Sequence, residues 1–200
     1  MIKRLFDLFF SFFGLLFLAP VFLIISFLIK LDSNGPVLFR QERIGLNGNI
    51  FKIHKFRTMQ LHADEKSRLT VGKDDRITQL GLFLRKYKID ELPQLIDVFI
   101  GKMSLVGPRP EVQEFINLYA FDTKNKVLSV RPGITDIASI EMLNETDILE
   151  KYDNPRQAYI DTILPMKQNY YLDYVENRTM WMDITIIFLT LKKLFKLVVT

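Results

Sequence analysis

Hydrophobic and polar positions divide the chain into segments of different character. From Leu8 to Ile29 no residue is charged, and Phe, Leu and Ile dominate. A run of about 22 residues can cross a bilayer as a straight helix. A cleavable signal peptide has a shorter apolar core followed by small residues, which this run lacks. Pro20 lies inside the run, where its ring and missing N–H kink a helix. Lys3 and Arg4 precede the run, and Lys30, Arg40 and Arg43 follow it. Basic flanks mark the cytoplasmic side. Such flanks at both ends fit a hairpin that enters and leaves by one face, and a single span fits the composition equally well.

Beyond Asn34-Gly35-Pro36 the pattern shortens. Val37 to Arg40 reads as a strand, Leu46-Asn47-Gly48-Asn49 as a hairpin turn, and Phe51 to Arg57 alternates apolar with basic as a half-buried strand does. Leu61 to Asp75 is polar and mixed in charge, a helix and loop without a strong apolar face. Ile77 to Tyr87 is amphipathic and ends among Arg85, Lys86 and Lys88. Leu92 to Ile100 predicts a helix closed by Gly101. Two Pro-Gly segments carry arginines: Gly107-Pro108-Arg109-Pro110 and Arg131-Pro132-Gly133. Glu111 to Leu128 is helical in pattern, and Glu141 to Tyr174 is helix-rich with breaks at Asn154-Pro155 and Leu164-Pro165. Trp181 to Val199 is apolar but interrupted by Lys192, Lys193 and Lys196, which favours a basic amphipathic helix in the membrane interface over a core helix.

Composition narrows the chemistry. Two hundred residues suffice for one domain with a real core. The absence of cysteine removes disulfides, thiolate metal sites and a cysteine nucleophile, and suits a reducing compartment. Two histidines, His54 and His62, exclude a histidine-rich metal site and leave a Ser-His-Asp triad little to build on. A net charge of +4 and a pI near 9.2 suit an anionic partner: nucleic acid, lipid head group or phosphorylated substrate. There is no G-x-G-x-x-G, no P-loop and no Asp-x-Asp pair to hold a nucleotide in a standard way.

The candidate chemistry centres on Lys88-Ile89-Asp90-Glu91-Leu92-Pro93. Proline is tolerated in the first helical turn, so a helix is predicted to begin near Asp90. Acidic residues at such a start are most often caps. The unpaired N–H groups there also favour ionised carboxylates and draw anions, or a metal bound to anions. Arg109 between two prolines sits on a stiff loop suited to bidentate phosphate recognition. Lys52, His54, Lys55 and Arg57 lie on a strand whose polar face meets solvent or ligand.

Four segments then occur in order: Lys55-Phe56-Arg57-Thr58-Met59, Asp90-Glu91-Leu92-Pro93-Gln94-Leu95, Met103 to Pro110, and Arg131-Pro132-Gly133-Ile134-Thr135. Together with the apolar N-terminus they resemble the bacterial sugar transferase family, the small monotopic phosphoglycosyl transferases, over nearly the whole chain. The resemblance implies an α+β, mostly helical fold. It places a re-entrant helix-break-helix anchor at residues 1–35, kinked at Pro20. A β-hairpin and helical catalytic domain follow at 36–200, with an interfacial helix at 181–199. It implies transfer of a sugar-1-phosphate from a UDP-sugar to polyprenyl (undecaprenyl) phosphate, with release of UMP. Asp90 would be the nucleophile of a ping-pong reaction, and Glu91 would bind Mg²⁺ or activate the acceptor. Asp90 and Glu91 are thus the expected metal ligands, and Lys55, Arg57, Arg85, Arg109 and Arg131 the expected phosphate contacts. The implied place is the cytoplasmic face of a bacterial inner membrane, with membrane lipid as partner, no nucleic acid, and a homodimer left open.

The chain departs from the family pattern at Ala19, where serine is frequent, and at Asp97, where asparagine is. It departs again at Lys102 and at Thr135-Asp136-Ile137-Ala138-Ser139, a segment that could contact the sugar or uracil and so leaves the donor open. Two other readings fit parts of the sequence. A Mg²⁺-dependent lipid-phosphate phosphatase would release free phosphate, and a non-catalytic membrane adaptor would tolerate alanine at both Asp90 and Glu91.

Overall fold

The computed structural model describes residues 1–60, 74–142 and 145–199. The polar segment expected at 61–75 therefore lies outside the described residues, apart from Asp74 and Asp75.

Helix α1, Ile2–Asp32, is the one described helix long and apolar enough to cross a membrane. At 1.5 Å per residue it is about 46 Å long if straight. Asp7, Ser11, Ile25 and Ile29 on it are buried, and Gly14, Leu15, Leu18, Phe22 and Ser26 are half-buried. These positions recur every three or four residues, the period of one helix face. That face packs on the rest of the chain from end to end. The opposite face exposes Leu5, Phe9, Phe17, Leu23, Phe27 and Leu31, among others.

The helix continues through Pro20, where a break between two helices was expected. The physical reason lies in the stripe. Leu18 and Phe22 stay in phase on the packed face, while Pro20 and Leu16, whose carbonyl the proline ring crowds, are exposed. The loss of one hydrogen bond therefore falls on the outer face.

Both ends of α1 are tied to the same body. Lys3 Nζ pairs with Asp183 at 2.6 Å. Arg4 donates to the carbonyls of Val98 (2.6 Å) and Phe99 (3.0 Å). Asp7 accepts from Ser104 Oγ (2.9 Å) and from the Leu105 N–H (3.0 Å). At the far end, Arg57 donates to the carbonyls of Ile29, Ser33 and Asn34.

Strands β1 (Leu38–Ile44) and β2 (Ile50–Phe56) form the expected antiparallel hairpin, in register from Leu38↔Phe56 to Ile44↔Ile50. Its turn is a 3₁₀ segment at Leu46–Gly48, with Asn47 and Gly48 at positive φ, as the Asn-Gly signal requires. Helix α2 (Gln79–Lys86) is capped by Thr78, whose hydroxyl accepts from the Gly81 N–H. A 3₁₀ turn at Ile89–Glu91 leads into α3 (Gln94–Phe99), which ends at Gly101 with φ +85°.

The two Pro-Gly segments hold more order than turns. Strands β3 (Ser104–Val106) and β4 (Gly133–Thr135) pair in parallel. The backbones meet so closely that a Cβ on Gly133 would lie 2.1 Å from the Gly107 nitrogen. Between them come α4 (Gln113–Ile116) and α5 (Phe121–Leu128), two short helices in place of one. Helices α6 (Ile137–Glu141), α7 (Glu145–Leu149) and α8 (Pro155–Ala158) follow. A π-helical turn at Tyr159–Ile163 then opens into α9 (Leu164–Asn177).

The largest core cluster gathers Ile44, Phe115, Ile116, Leu149, Ile163 and Tyr171, among others. The final helix, α10 (Met180–Val199), does two things at once. Asp183 and Ile186 face inward, the latter against Val106, Ile140 and Tyr174. Trp181, Ile184, Phe188, Leu191 and Phe195 form an exposed apolar stripe.

Candidate active site

The acidic pair sits in the 3₁₀ turn between α2 and α3. Lys88, in the left-handed region at φ +57°, makes the sharp entry from α2. Asp90 and Glu91 are each 8% exposed, and neither side chain caps the turn or α3. The capping role that the sequence alone favours is therefore not the one they take.

Glu91 is clamped by cations from two directions. Lys55 Nζ on β2 lies 2.9 Å from Oε1. Arg109 forks onto the carboxylate, with Nη1 donating to Oε2 at 3.0 Å and Nη2 to Oε1. Burial would raise this carboxyl, but the charges of Arg109 and Lys55 outweigh it and hold Glu91 well below the usual range. Arg109 is raised in turn, chiefly by Glu91. Asp90 has the opposite environment. Its Oδ1 is buried without a hydrogen-bond partner. Burial, and then the charge of Glu91, push it up, against the pull of Lys55, Lys88 and Arg85. Adjacent carboxyls thus carry different protonation tendencies, an arrangement that suits separate chemical roles.

The other expected phosphate contacts divide. Arg85 is held by Thr58 Oγ1 at 2.8 Å and lies within electrostatic reach of Asp90. Arg57 is not brought to the pair, because its guanidinium is used on the carbonyls that end α1. Arg131 also lies elsewhere: its Nε donates to the Gly101 carbonyl at 2.9 Å, where Arg4 is a close neighbour. The exposed carbonyls at helix C-termini draw these cations.

In the sequence Arg43 stands out only as a basic flank of the apolar run. It enters the site from β1, within electrostatic reach of Glu111, Arg109 and Glu91. Its Nη1 donates to the Pro110 carbonyl at 3.1 Å, and its Nε is buried without a partner. Its odd-numbered place on the strand, in phase with Gln41, was the available signal. Asp97 is fully buried against β2, accepting from the His54 N–H (2.8 Å) and facing His54 Nδ1 (2.7 Å).

As for Mg²⁺, no group of three acidic or histidine ligands converges among the described residues. Of the two expected ligands, Glu91 already has both oxygens engaged by cations. Asp90, with its orphaned Oδ1, is the one that fits. A single carboxylate suits Mg²⁺ when substrate phosphates supply further oxygens.

Comparison with known proteins gives the family. The profile of the bacterial sugar transferase family matches residues 1–197. A UDP-glucose:undecaprenyl-phosphate glucose-1-phosphate transferase of Klebsiella pneumoniae is 38% identical over 197 residues, covering 96% of this chain and 40% of that protein. A UDP-N-acetylgalactosamine-undecaprenyl-phosphate N-acetylgalactosaminephosphotransferase of Aeromonas hydrophila is 33% identical over 194 residues, 96% of this chain and 43% of its own length. The exopolysaccharide production protein PSS of Rhizobium leguminosarum bv. phaseoli is 38% identical over 199 residues, 94% of this chain and 92% of its own length. The chain therefore spans less than half of the first two relatives and nearly all of the third. With residues 1–197 of 200 matched by the family profile, the chain belongs to the bacterial sugar transferase family.

Proposed function

We propose that this chain transfers a sugar-1-phosphate from a UDP-sugar to polyprenyl phosphate at a membrane surface, with release of UMP. The observation that carries the reading is the divided acidic pair: a buried Asp90 with a free oxygen beside a Glu91 locked to Lys55 and Arg109. The names of the relatives supply the substrate classes.

The residues suggest how the reaction runs. An Asp90 oxygen attacks the phosphorus that bears the sugar. The bond from that phosphorus to the bridging oxygen breaks, and UMP leaves with the bridging oxygen. A phosphate oxygen of the polyprenyl acceptor then attacks the same phosphorus, and the Asp90 carboxylate departs. A carboxyl kept basic by burial is the stronger nucleophile once ionised. The approach brings an anion to an anion, so Lys55, Arg85, Arg43 and Arg109 serve by offsetting charge on the pyrophosphate. Mg²⁺ bound through Asp90 would further stabilise the departing phosphate. Glu91 serves in this reading as the anchor that holds Lys55 and Arg109 in place.

Monotopic insertion is supported by the ties at both ends of α1. A helix that crosses a bilayer puts its ends on opposite sides, whereas Lys3 and Asn34 both meet one body. The exposed apolar faces of α1 and α10 are of the kind that lipid covers.

The test is UMP release with undecaprenyl phosphate across a panel of UDP-sugars. Donor alone should leave a phosphosugar adduct on Asp90, read by mass spectrometry of the intact protein. Full transfer by Asp90→Asn, or release of free phosphate in place of UMP, would overturn the proposal.

A further inference from the structure

Behind the Pro108-Arg109-Pro110 loop lies a buried polar chain that the mechanism above does not use. Glu111, 5% exposed, turns its carboxylate inward and accepts from Tyr159 Oη at 3.1 Å. Lys167 Nζ donates to the same phenol oxygen at 3.3 Å and pairs with Glu145 Oε2 at 2.7 Å. The ammonium also stands 4.8 Å from the Tyr159 ring centroid. Four segments are thereby linked: the Arg109 loop, the π turn, α9 and α7.

The π turn makes the link geometrically feasible. Tyr159 and Lys167 are eight residues apart, which on an α-helix of 3.6 residues per turn leaves them rotated by about 80°. The wider turn at Tyr159–Ile163 takes up that offset and brings both onto one face. Pro165 supplies the cause. It has no N–H for the Asp161 carbonyl and its ring crowds that carbonyl, so the helix relaxes by widening ahead of it.

Buried charge of this kind is a poor source of stability, because hydrophobic packing of equal volume does as well or better. Among the described residues the Glu111 carboxylate has one hydrogen-bond partner, the Tyr159 phenol, and its charge acts on Arg43. Arg43 in turn donates to the Pro110 carbonyl, and the Ile44 N–H donates to the Glu111 carbonyl at 3.0 Å. Arg43 thus lies within electrostatic reach of Glu111, while Arg109 faces Glu91 and, beyond it, the buried Asp136. Burial and Glu111 raise the Tyr159 hydroxyl, which keeps its proton available for donation.

We infer that Glu111, held in place by Tyr159 and Lys167, is a positioning residue that fixes Arg43 and the Arg109 loop for the phosphates of the nucleotide donor. The inference rests on the proposed transferase reading for the identity of the donor. Arg109 keeps its own carboxylates, Glu91 and Asp136, so Glu111 acts through Arg43 and through the backbone of the loop. The effect is on donor binding, with little on the chemical step.

The test uses Glu111→Gln and Tyr159→Phe, both close in volume to the native side chains, in the full-length protein in detergent. UMP affinity is measured by calorimetry, and KM and kcat by UMP release. Glu111→Gln should weaken UMP binding about tenfold and raise the donor KM to match, with kcat within about twofold. Tyr159→Phe should move the same two quantities in the same direction by about threefold. A thermal midpoint near wild type shows that the fold is retained. Wild-type UMP affinity in Glu111→Gln, or a loss confined to kcat, would overturn the inference. If the wild-type protein releases no UMP from any UDP-sugar, the functional reading fails on its own. Inorganic pyrophosphate then becomes the probe, and equal affinity in wild type and Glu111→Gln still decides against Glu111.

Discussion

Neutralising the two adjacent carboxyls should change stability in opposite directions. Glu91→Gln keeps the shape but removes the charge that Lys55 and Arg109 face, leaving two cations in a site where Glu91 is 8% exposed. Breaking a buried pair by removing one partner costs about 3–5 kcal/mol, and the partly exposed guanidinium argues for the lower end. For a chain of this length about 3 kcal/mol corresponds to a fall of about 6–12 °C in the thermal midpoint. Asp90→Asn removes a carboxyl that burial and Glu91 disfavour as an anion, so it should stabilise by about 1 kcal/mol while abolishing transfer. The pH dependence follows the same signs. Glu91, held below its unfolded pKa, contributes stability that is present above the ordinary carboxylate range and lost as pH falls through its folded pKa. Asp90, held above its unfolded value, works the other way: its contribution is present at low pH and lost as pH rises through its folded pKa. Thermal denaturation of the two variants in detergent, at pH 7 and again near pH 4, measures both effects. Midpoints that move together at pH 7 would refute the division of roles.

Further outcomes follow from other contacts. Arg57→Met should leave the donor KM unchanged and lower stability by about 2 kcal/mol, because it frees the carbonyls that end α1 rather than a phosphate; a raised KM at wild-type stability would count against this. Gly133→Ala would set a Cβ 2.1 Å from the Gly107 nitrogen. It should cost about 3 kcal/mol or more and yield little folded protein, as judged by size-exclusion chromatography. Single cysteines at Ile2 and Asn34 should both react with an impermeant maleimide from the cytoplasmic side; labelling of one from the far side would establish a crossing helix.

What the sequence determined by itself is what local physics and motif order encode. The hairpin was legible because Asn47-Gly48 admits positive φ and the flanking residues alternate. The long apolar helix was legible from composition, and the acidic pair from its place before Pro93. The tertiary structure decided the rest. Arg57 and Arg131 read as phosphate ligands because a cation in a strand or loop carries no mark of its partner; the carbonyl ends of α1 and α3 claimed them. Arg43 entered the site only because β1 lies beside the Arg109 loop. The parallel pairing of β3 with β4 joins segments far apart in the chain, so no local pattern could announce it. Pro20 looked like a break, yet a packing stripe on one side of α1 carries the helix past it. Asp90 and Glu91 are neighbours of the same chemical type, and only the fold separates them: it gives one a clamp of cations and leaves the other a buried oxygen with no partner.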